Sequence, residues 1–530
     1  MKLRLLPLSF IFILQGSLQL AVTAQDATSY FNGTDNAAYV NWLQQASYNK
    51  STFLASTTEE GNGVALLWTT NDVNINVAVA ARAKGWVGFG LAESGSMRGA
   101  DIILFTAETN QLVDSYVLDQ PGKPFPDDCQ SWTLVDSTVD GGFIIFEATR
   151  RLDTGDSQDR VIINDSNALV PPTRVIAAWG ETSEPSYHGS NTTRGAIRFF
   201  GNESSADELQ AFARTMQEEA EGNFTVQAND FLIPAEETRY QHFCFSRDDL
   251  LAMNVPLDLN LHTIGIEPIV DPRTKKYVHH FVVYGSNQPW NSSLSCDEYP
   301  SIEAVYVWAP GDEPLNLPAN VGSPLGASAF QSFSLEIHYN NPDLDENMLD
   351  SSGVRFYYTS KKREFDLGIF RTGDPDIQLG GTSVSKNGGL SQHIFNCGSN
   401  CSSNYVTESV TVMREHLHMH ATGVSTANVQ IRDGEVIRQG QVQYWDFYAQ
   451  GFTAVVQPPF ELQPGDSFRT VCDYNANNST VWGLGSQDEM CIAFLYYTHG
   501  KSQSARLETY QLCAGWAWEP TCQAVRQTIL

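Results

Sequence analysis

The chain has 530 residues, 42% of them hydrophobic and 18% charged, which supplies material for several buried cores and excludes an intrinsically disordered protein. Against 32 basic residues stand 61 acidic ones, and the formal net charge of −29 excludes a phosphate-tracking surface, so no nucleic acid is expected as a partner. Residues 1–24 read as a signal peptide: basic Lys2 and Arg4, an apolar run from Leu5 to Leu14, then small Val22 and Ala24 where a peptidase would cut. No later apolar run reaches membrane-spanning length, and the tail "QAVRQTIL" lacks a hydrophobic anchor signal. The expectation is a protein with no stable membrane anchor, secreted or held in the secretory-pathway lumen.

Ten Asn-x-Ser/Thr sequons fit that route as glycosylation acceptors: Asn32, Asn49, Asn164, Asn191, Asn202, Asn223, Asn291, Asn400, Asn477 and Asn478. Nine cysteines in an oxidising compartment predict disulfides with one thiol left over. Cys129 stands alone in the first two hundred residues, so four bridges in the second half and an unpaired Cys129 is the simplest count.

Strands are predicted nearly throughout. "VALLW", "VNINVAVAA", "GWVGFGLA", "GFIIFEA", "FSLEIHY" and "CIAFLYY" are short, β-branched or aromatic, and punctuated by turn residues. The fold class is therefore all-β, built of sandwiches. A first block spans residues 45–200. An acidic connector follows over 201–225, with a helix predicted across 204–222 where Leu209, Phe212, Ala213 and Met216 recur at helical spacing. The remainder is long enough for two sandwiches, divided near 371–382 into 226–370 and 371–525.

Ten of the eleven histidines fall in that remainder. In "REHLHMHATG", His416, His418 and His420 alternate and would share one face of a strand. "KYVHHFVVYG" carries adjacent His279 and His280, which point apart on a regular strand and can meet one metal only if the strand bulges or ends there. In "FSLEIHYNNP", His338 lies opposite an apolar face, and "DEMCIAFLYY" contributes Met490. Imidazoles alone would suit zinc, whereas a thioether beside two imidazoles favours copper.

The motifs "YVHHFVVYG", "LEIHYNNP", "HMHATG" and "DEMCIAFLYY", in that order, resemble the copper type II, ascorbate-dependent monooxygenases. The resemblance is to the dopamine β-hydroxylase-like branch that carries a DOMON domain. The resemblance implies two jelly-roll-like antiparallel copper domains and two copper ions per chain. One ion would be held by His279, His280 and His338, the other by His418, His420 and Met490, with no catalytic residues beyond these ligands. It further implies bridges Cys244–Cys296, Cys397–Cys513, Cys401–Cys522 and Cys472–Cys491. His416 stands where the peptide-specific branch resembles Arg, and Phe494 where relatives commonly show Tyr, so these two are assigned to a supporting shell or substrate pocket. The implied reaction hydroxylates a C–H bond of a small molecule, a phenethylamine-like amine among the options, with O2 and ascorbate as co-substrates.

Residues 45–200 resemble a DOMON β-sandwich through "WVGFGLAESGSMRGADIIL" and "AAWGETSEPSYHGSNTTRG". Some DOMON domains bind haem b through Met and His, and Met97 and His188 are the candidates, weighed against ordinary packing and turn roles. Two alternatives stand beside the enzyme: a non-catalytic copper-containing binding protein, and an electron-transfer protein using a DOMON haem. A homo-oligomer is compatible with either.

Overall fold

The computed structural model describes residues 27–31, 35–56, 62–118, 122–166, 170, 172–200, 208–287, 290, 296, 303–312, 314–327, 329–374, 380–447, 449–450, 459–500 and 512–513. The leader, Asn32, Asn202, Asn291 and Cys522 lie outside the described residues.

The all-β expectation is what the structure shows. Alternating and fully apolar runs fold into two facing sheets in the first block. One has five strands, in the order Lys50–Ala55, Gly63–Thr70, Asn74–Arg82, Phe143–Arg151, Thr133–Asp140; the other has six, running from Thr192–Ile197 through Thr173–Gly180, Trp86–Ala92, Asp101–Thr106 and Gln111–Tyr116 to Phe125–Pro126. Leu66, Trp68, Val77, Phe89, Phe105, Phe146 and Trp179 interdigitate between them, all buried. This is the arrangement that period-2 sequences reach when two sheets hide their inner faces from water.

The rest is organised around one long sheet. Its path runs Gly222–Gln227, Gly353–Thr359, Asn260–Ile269, Val321–Gly326, Phe365–Gly373, Ile492–Gly500, Val410–His418, Phe460–Leu462. Along this path only the join between Val321–Gly326 and Phe365–Gly373 is parallel, and it is two residue pairs long, Val321 with Phe365 and Gly322 with Asp366. That join stitches the two halves together, and the strand Phe365–Gly373 crosses position 370. Each half is completed by a four-stranded antiparallel sheet. The first is Thr238–Phe245, Ser332–Asn340, Val278–Ser286, Glu303–Trp308; the second is Gly389–Cys397, Ser467–Ala476, Gly423–Arg432, Glu435–Val442.

The connector forms a helix over Glu208–Glu219, inside the predicted span. Phe212 and Met216 bury against Ile264, and Met216 reaches the backbone at Gly265, where any Cβ would collide with its sulfur. The helix of the connector is thereby packed on the first half.

Phe356 is fully buried between Phe224 and Phe333, with ring centroids 5.1 and 5.3 Å away. Phe356→Ala is expected to cost about 3–5 kcal/mol, read as a lower denaturation midpoint in guanidinium.

Candidate metal centre

His338 lies on Ser332–Asn340 between two antiparallel neighbours, facing Tyr240 on one side and His280 on the other. The pairing register slips between Val278 and His280, so His279 is the extra residue of a β-bulge. The bulge turns both adjacent rings toward His338. Nδ1 of His279 is 3.0 Å from Nδ1 of His280 and 3.0 Å from Nδ1 of His338, and the third separation is 3.4 Å. Nitrogens so spaced lie roughly 1.8 Å from a common centre, just inside the ~2.0 Å of a metal–imidazole bond. Three imidazole nitrogens cannot satisfy one another by hydrogen bonding, since each acceptor pair needs a proton that a neighbour must give up. A cation at the centre resolves this.

His416, His418 and His420 continue along one face of Val410–His418 and just beyond. Opposite them, His416 pairs with Phe494 and His418 with Ile492; His420 and Met490 each lie two residues beyond that last pair. Met490 is buried, and its backbone is held on two sides: Tyr474 Oη donates to its carbonyl at 2.6 Å, and the next residue forms the Cys472–Cys491 disulfide. His420 Nδ1–H donates to the carbonyls of Gly485 and Asp488 at 3.0 and 3.1 Å, and His418 Nδ1–H donates to Gln450 Oε1 at 2.8 Å. Nε2 of both rings is buried with no hydrogen-bond partner. Two orphaned lone pairs aimed into a protein interior are costly unless a ligand takes them. The outer bonds fix the tautomer that leaves Nε2 free to coordinate.

All six histidines are neutral. Burial first, then neighbouring imidazoles, holds His279, His280, His338 and His418 well below the usual imidazole range. Burial takes His420 down to about 4; His416 falls to about 3, with Arg414 and Arg174 adding to the effect. Glu489 receives the amides of His420 and Thr422 and the Thr422 hydroxyl, and so clamps the turn that follows His420.

The two clusters adjoin. Ring centroids of His280 and His418 are 5.2 Å apart, those of His279 and His420 5.8 Å, and one nitrogen each of His279, His338 and His420 fall within 4.8 Å of one another. Gln450 bridges the halves: besides accepting from His418, its Nε2 lies 3.0 Å from His279 Nε2 and donates to Phe447 O at 2.9 Å. Phe447 stacks on His279 at 4.2 Å, and Trp445 Nε1 donates to His420 O at 3.0 Å. Nothing in the spacing of "WDFYAQ" marks these residues, and the sequence reading missed them.

The same strap is gripped by the amino-terminal sandwich. Glu93 accepts the amides of Gln443 and Tyr444, and Arg98 Nη1 donates to Trp445 O at 2.7 Å. Gly99, at φ +57°, leaves the space that the Tyr444 ring occupies. His416, wholly buried, meets Phe494 edge-on at 6.0 Å and lies 3.8 Å from Asp312 Oδ2, so both pocket candidates sit beside the second cluster.

The haem pair is not brought together. Met97 follows Ala92 and packs on Ala92, Ala100, Ile102 and Ile176. His188 follows Gly180, bonds Gly189 O, and stacks on exposed Tyr187. Strands Trp86–Ala92 and Thr173–Gly180 are antiparallel, with Ala92 opposite Arg174 and Gly180 opposite Trp86, so the two loops leave opposite ends of the pair, roughly 20 Å apart. Met97 thus has the packing role, and His188 the turn role, weighed for them above.

Bridges Cys244–Cys296, Cys397–Cys513 and Cys472–Cys491 are formed; Cys401 is buried, and its expected partner lies outside the described residues. Among the described residues Cys129 is exposed and has no disulfide partner. Of the described sequons, Asn49, Asn164, Asn223, Asn400, Asn477 and Asn478 are exposed and Asn191 is half-buried.

Residues 60–170 match the family described as DOMON domain. Residues 224–346 and 379–514 match the N-terminal and C-terminal domains of copper type II ascorbate-dependent monooxygenases. The chain is 25% identical over 464 residues to a tyramine beta-hydroxylase of Caenorhabditis briggsae, covering 82% of this chain and 75% of that protein. It is 26% identical to DBH-like monooxygenase protein 1 of Homo sapiens, covering 81% and 70%, and 27% identical to human dopamine beta-hydroxylase, covering 78% and 67%. A solved structure, the cytochrome b domain of a pyranose dehydrogenase from Coprinopsis cinerea, overlays with a TM-score of 0.21 at 12% identity, covering 28% of this chain and 82% of that one. At that score two chains need share no fold.

Gln450→Ala removes the acceptor for His418 Nδ1–H. Copper affinity of the His418/His420 cluster is expected to fall about 10–100-fold in chelator competition, while His393→Ala, whose ring bonds Val384 O elsewhere, leaves it unchanged.

Proposed function

Because this chain belongs to the copper type II, ascorbate-dependent monooxygenases, we propose that it hydroxylates a C–H bond of a small organic molecule, with O2 and ascorbate, through two copper ions. The observation that carries the reading is the pair of buried, unpartnered Nε2 atoms on His418 and His420, with buried Met490 two residues beyond Ile492, the partner of His418. His279, His280 and His338 would hold one ion through Nδ1; His418, His420 and Met490 would hold the other. When bound, copper supplies the O2 activation and one-electron chemistry that no side chain can, and ascorbate restores its reduced state.

The chain's own part is coordination, orientation and exclusion of water. A thioether beside two neutral imidazoles favours the reduced ion, the form that meets O2. Gln450 and the carbonyls of Gly485 and Asp488 keep Nδ1 protonated, so Nε2 remains the ligand. Ser486 Oγ, 3.1 Å from His338 Nε2, does the equivalent service from the far side of the all-His cluster. Burial of the rings keeps bulk water from diverting reduced oxygen.

At the edge of the second cluster, His416 is a neutral ring where a peptide-specific site would want a cation, which argues against a peptide carboxylate as substrate. Tyramine and dopamine, named in two relatives, make phenethylamines the first class to assay. The sandwich at the amino end serves as a docking module, and the protein works in an extracellular or secretory-lumen setting.

Purified protein is expected to carry two copper ions per chain and to consume O2 with ascorbate in the presence of one member of a phenethylamine panel. His418→Ala should leave about one copper and lower turnover by about 10³-fold or more. Oxygen uptake no greater than that of free copper would favour the non-catalytic binding protein, and native material loaded only with zinc would refute the reading.

A further inference from the structure

Three adjacent strands of the long sheet put Arg371, Phe494 and His416 in one row. Arg371 pairs with Phe494 across Phe365–Gly373 and Ile492–Gly500, and Phe494 pairs with His416 across Ile492–Gly500 and Val410–His418. Directly paired residues share a face, so these three side chains leave the sheet on the side that carries His418, two residues beyond His416. The packing agrees: Ile369, Ile492, Phe494 and Tyr496 belong to the core shared with the first half, whereas Phe370, Leu495 and Tyr497 pack on the other side.

Arg371 is 8% exposed, and among the described residues its guanidinium meets no carboxylate and donates no hydrogen bond. The other buried arginines each have partners. Arg150 pairs with Asp101 and Arg438 with Glu415, while Arg363 donates to three carbonyls and to Glu219. An unpaired cation held out of water is among the costliest groups a fold can carry, and beside a reactive cluster a ligand is the natural source of the missing counter-charge.

The neighbourhood is already positive. Arg414 and Arg174 lie close enough to His416 to help hold its ring neutral, and Asp312, 3.8 Å from Arg414 Nη2 and from His416 Nδ1, is the carboxylate set against them. Glu415 points through the opposite face, where it takes Arg438 and Asn428.

We propose that Arg371 is a specificity-determining residue that pairs with a carboxylate on the substrate. The claim rests on the monooxygenase reading and narrows its phenethylamines to those that also bear a carboxylate, as an aromatic amino acid does. A planar guanidinium matches a carboxylate through two parallel hydrogen bonds. Two strand spacings set the Arg371 and His416 backbones roughly 10 Å apart. That is about the length of a benzene ring with a short side chain, and Phe494, between them, offers its ring to an apolar body. The cation absent at His416 thus enters from two strands away.

The test titrates the full copper-loaded chain with phenylalanine and with phenethylamine, which differ only by the carboxylate, without ascorbate so that nothing turns over. Calorimetry is expected to show phenylalanine bound about tenfold tighter or more. Arg371→Gln should abolish that preference by weakening phenylalanine alone, Arg371→Lys should keep part of it, and Arg371→Glu should reverse it. A merely structural Arg371 would lose both ligands together. Equal binding of the two by the unaltered chain, binding of neither, or a preference that survives Arg371→Glu would overturn the proposal, and the first two of these need no variant to fold. Binding is read apart from turnover: O2 uptake with ascorbate that stays at the level of free copper would count against the monooxygenase reading and leave a measured preference for phenylalanine standing.

Discussion

A buried neutral imidazole has one nitrogen that must donate and one that must accept, and where several share a volume with little water the partners have to be built into the chain. Around the rings of His279, His338, His418 and His420 the outer nitrogens meet Gln450, Ser486 and the carbonyls of Gly485 and Asp488. The inner nitrogens are left facing one another or facing nothing. The bulge at His279, the turn clamped by Glu489 and the disulfide beside Met490 all serve that one requirement, because each fixes a ring or sulfur that would otherwise relax into a self-satisfied arrangement.

How much of this was legible in the sequence follows from which residues are constrained locally. Alternation puts His416, His418 and His420 on one face whatever their surroundings, and cross-strand register then follows from the apolar pattern of "CIAFLYY". The adjacent pair His279 and His280 was informative because it was awkward: two neighbours on one metal demand an irregular strand, and the register slip supplies it. The resemblance to a known family gave the grouping of the six ligands, which spacing alone could not. Gln450, Phe447 and Trp445 escaped because their role depends on where a loop lands, and no period or capping signal encodes that.

Of the roles weighed for Met97 and His188, packing and turn are the ones found, for a related reason. Met97 and His188 are chemically suitable, but ligand pairs must converge, and convergence is a property of strand connectivity. Here antiparallel pairing sends the two loops to opposite ends of the sheet. The same sandwich nonetheless has a structural stake in the metal centre, since Glu93 and Arg98 grip the strap that carries Trp445 and, a turn later, Gln450.

The short parallel join between Val321–Gly326 and Phe365–Gly373 makes the two halves share a sheet. Two lobes on a loose tether could drift apart in any direction; two pages bound along a narrow spine can only fan. A common core reinforces that spine, since Ile492, Phe494 and Tyr496 share one buried cluster with Phe281, Val307 and Leu335 and the Val307 amide donates to Tyr496 Oη at 3.0 Å, so shared packing as well as those few paired residues holds the clusters at their spacing.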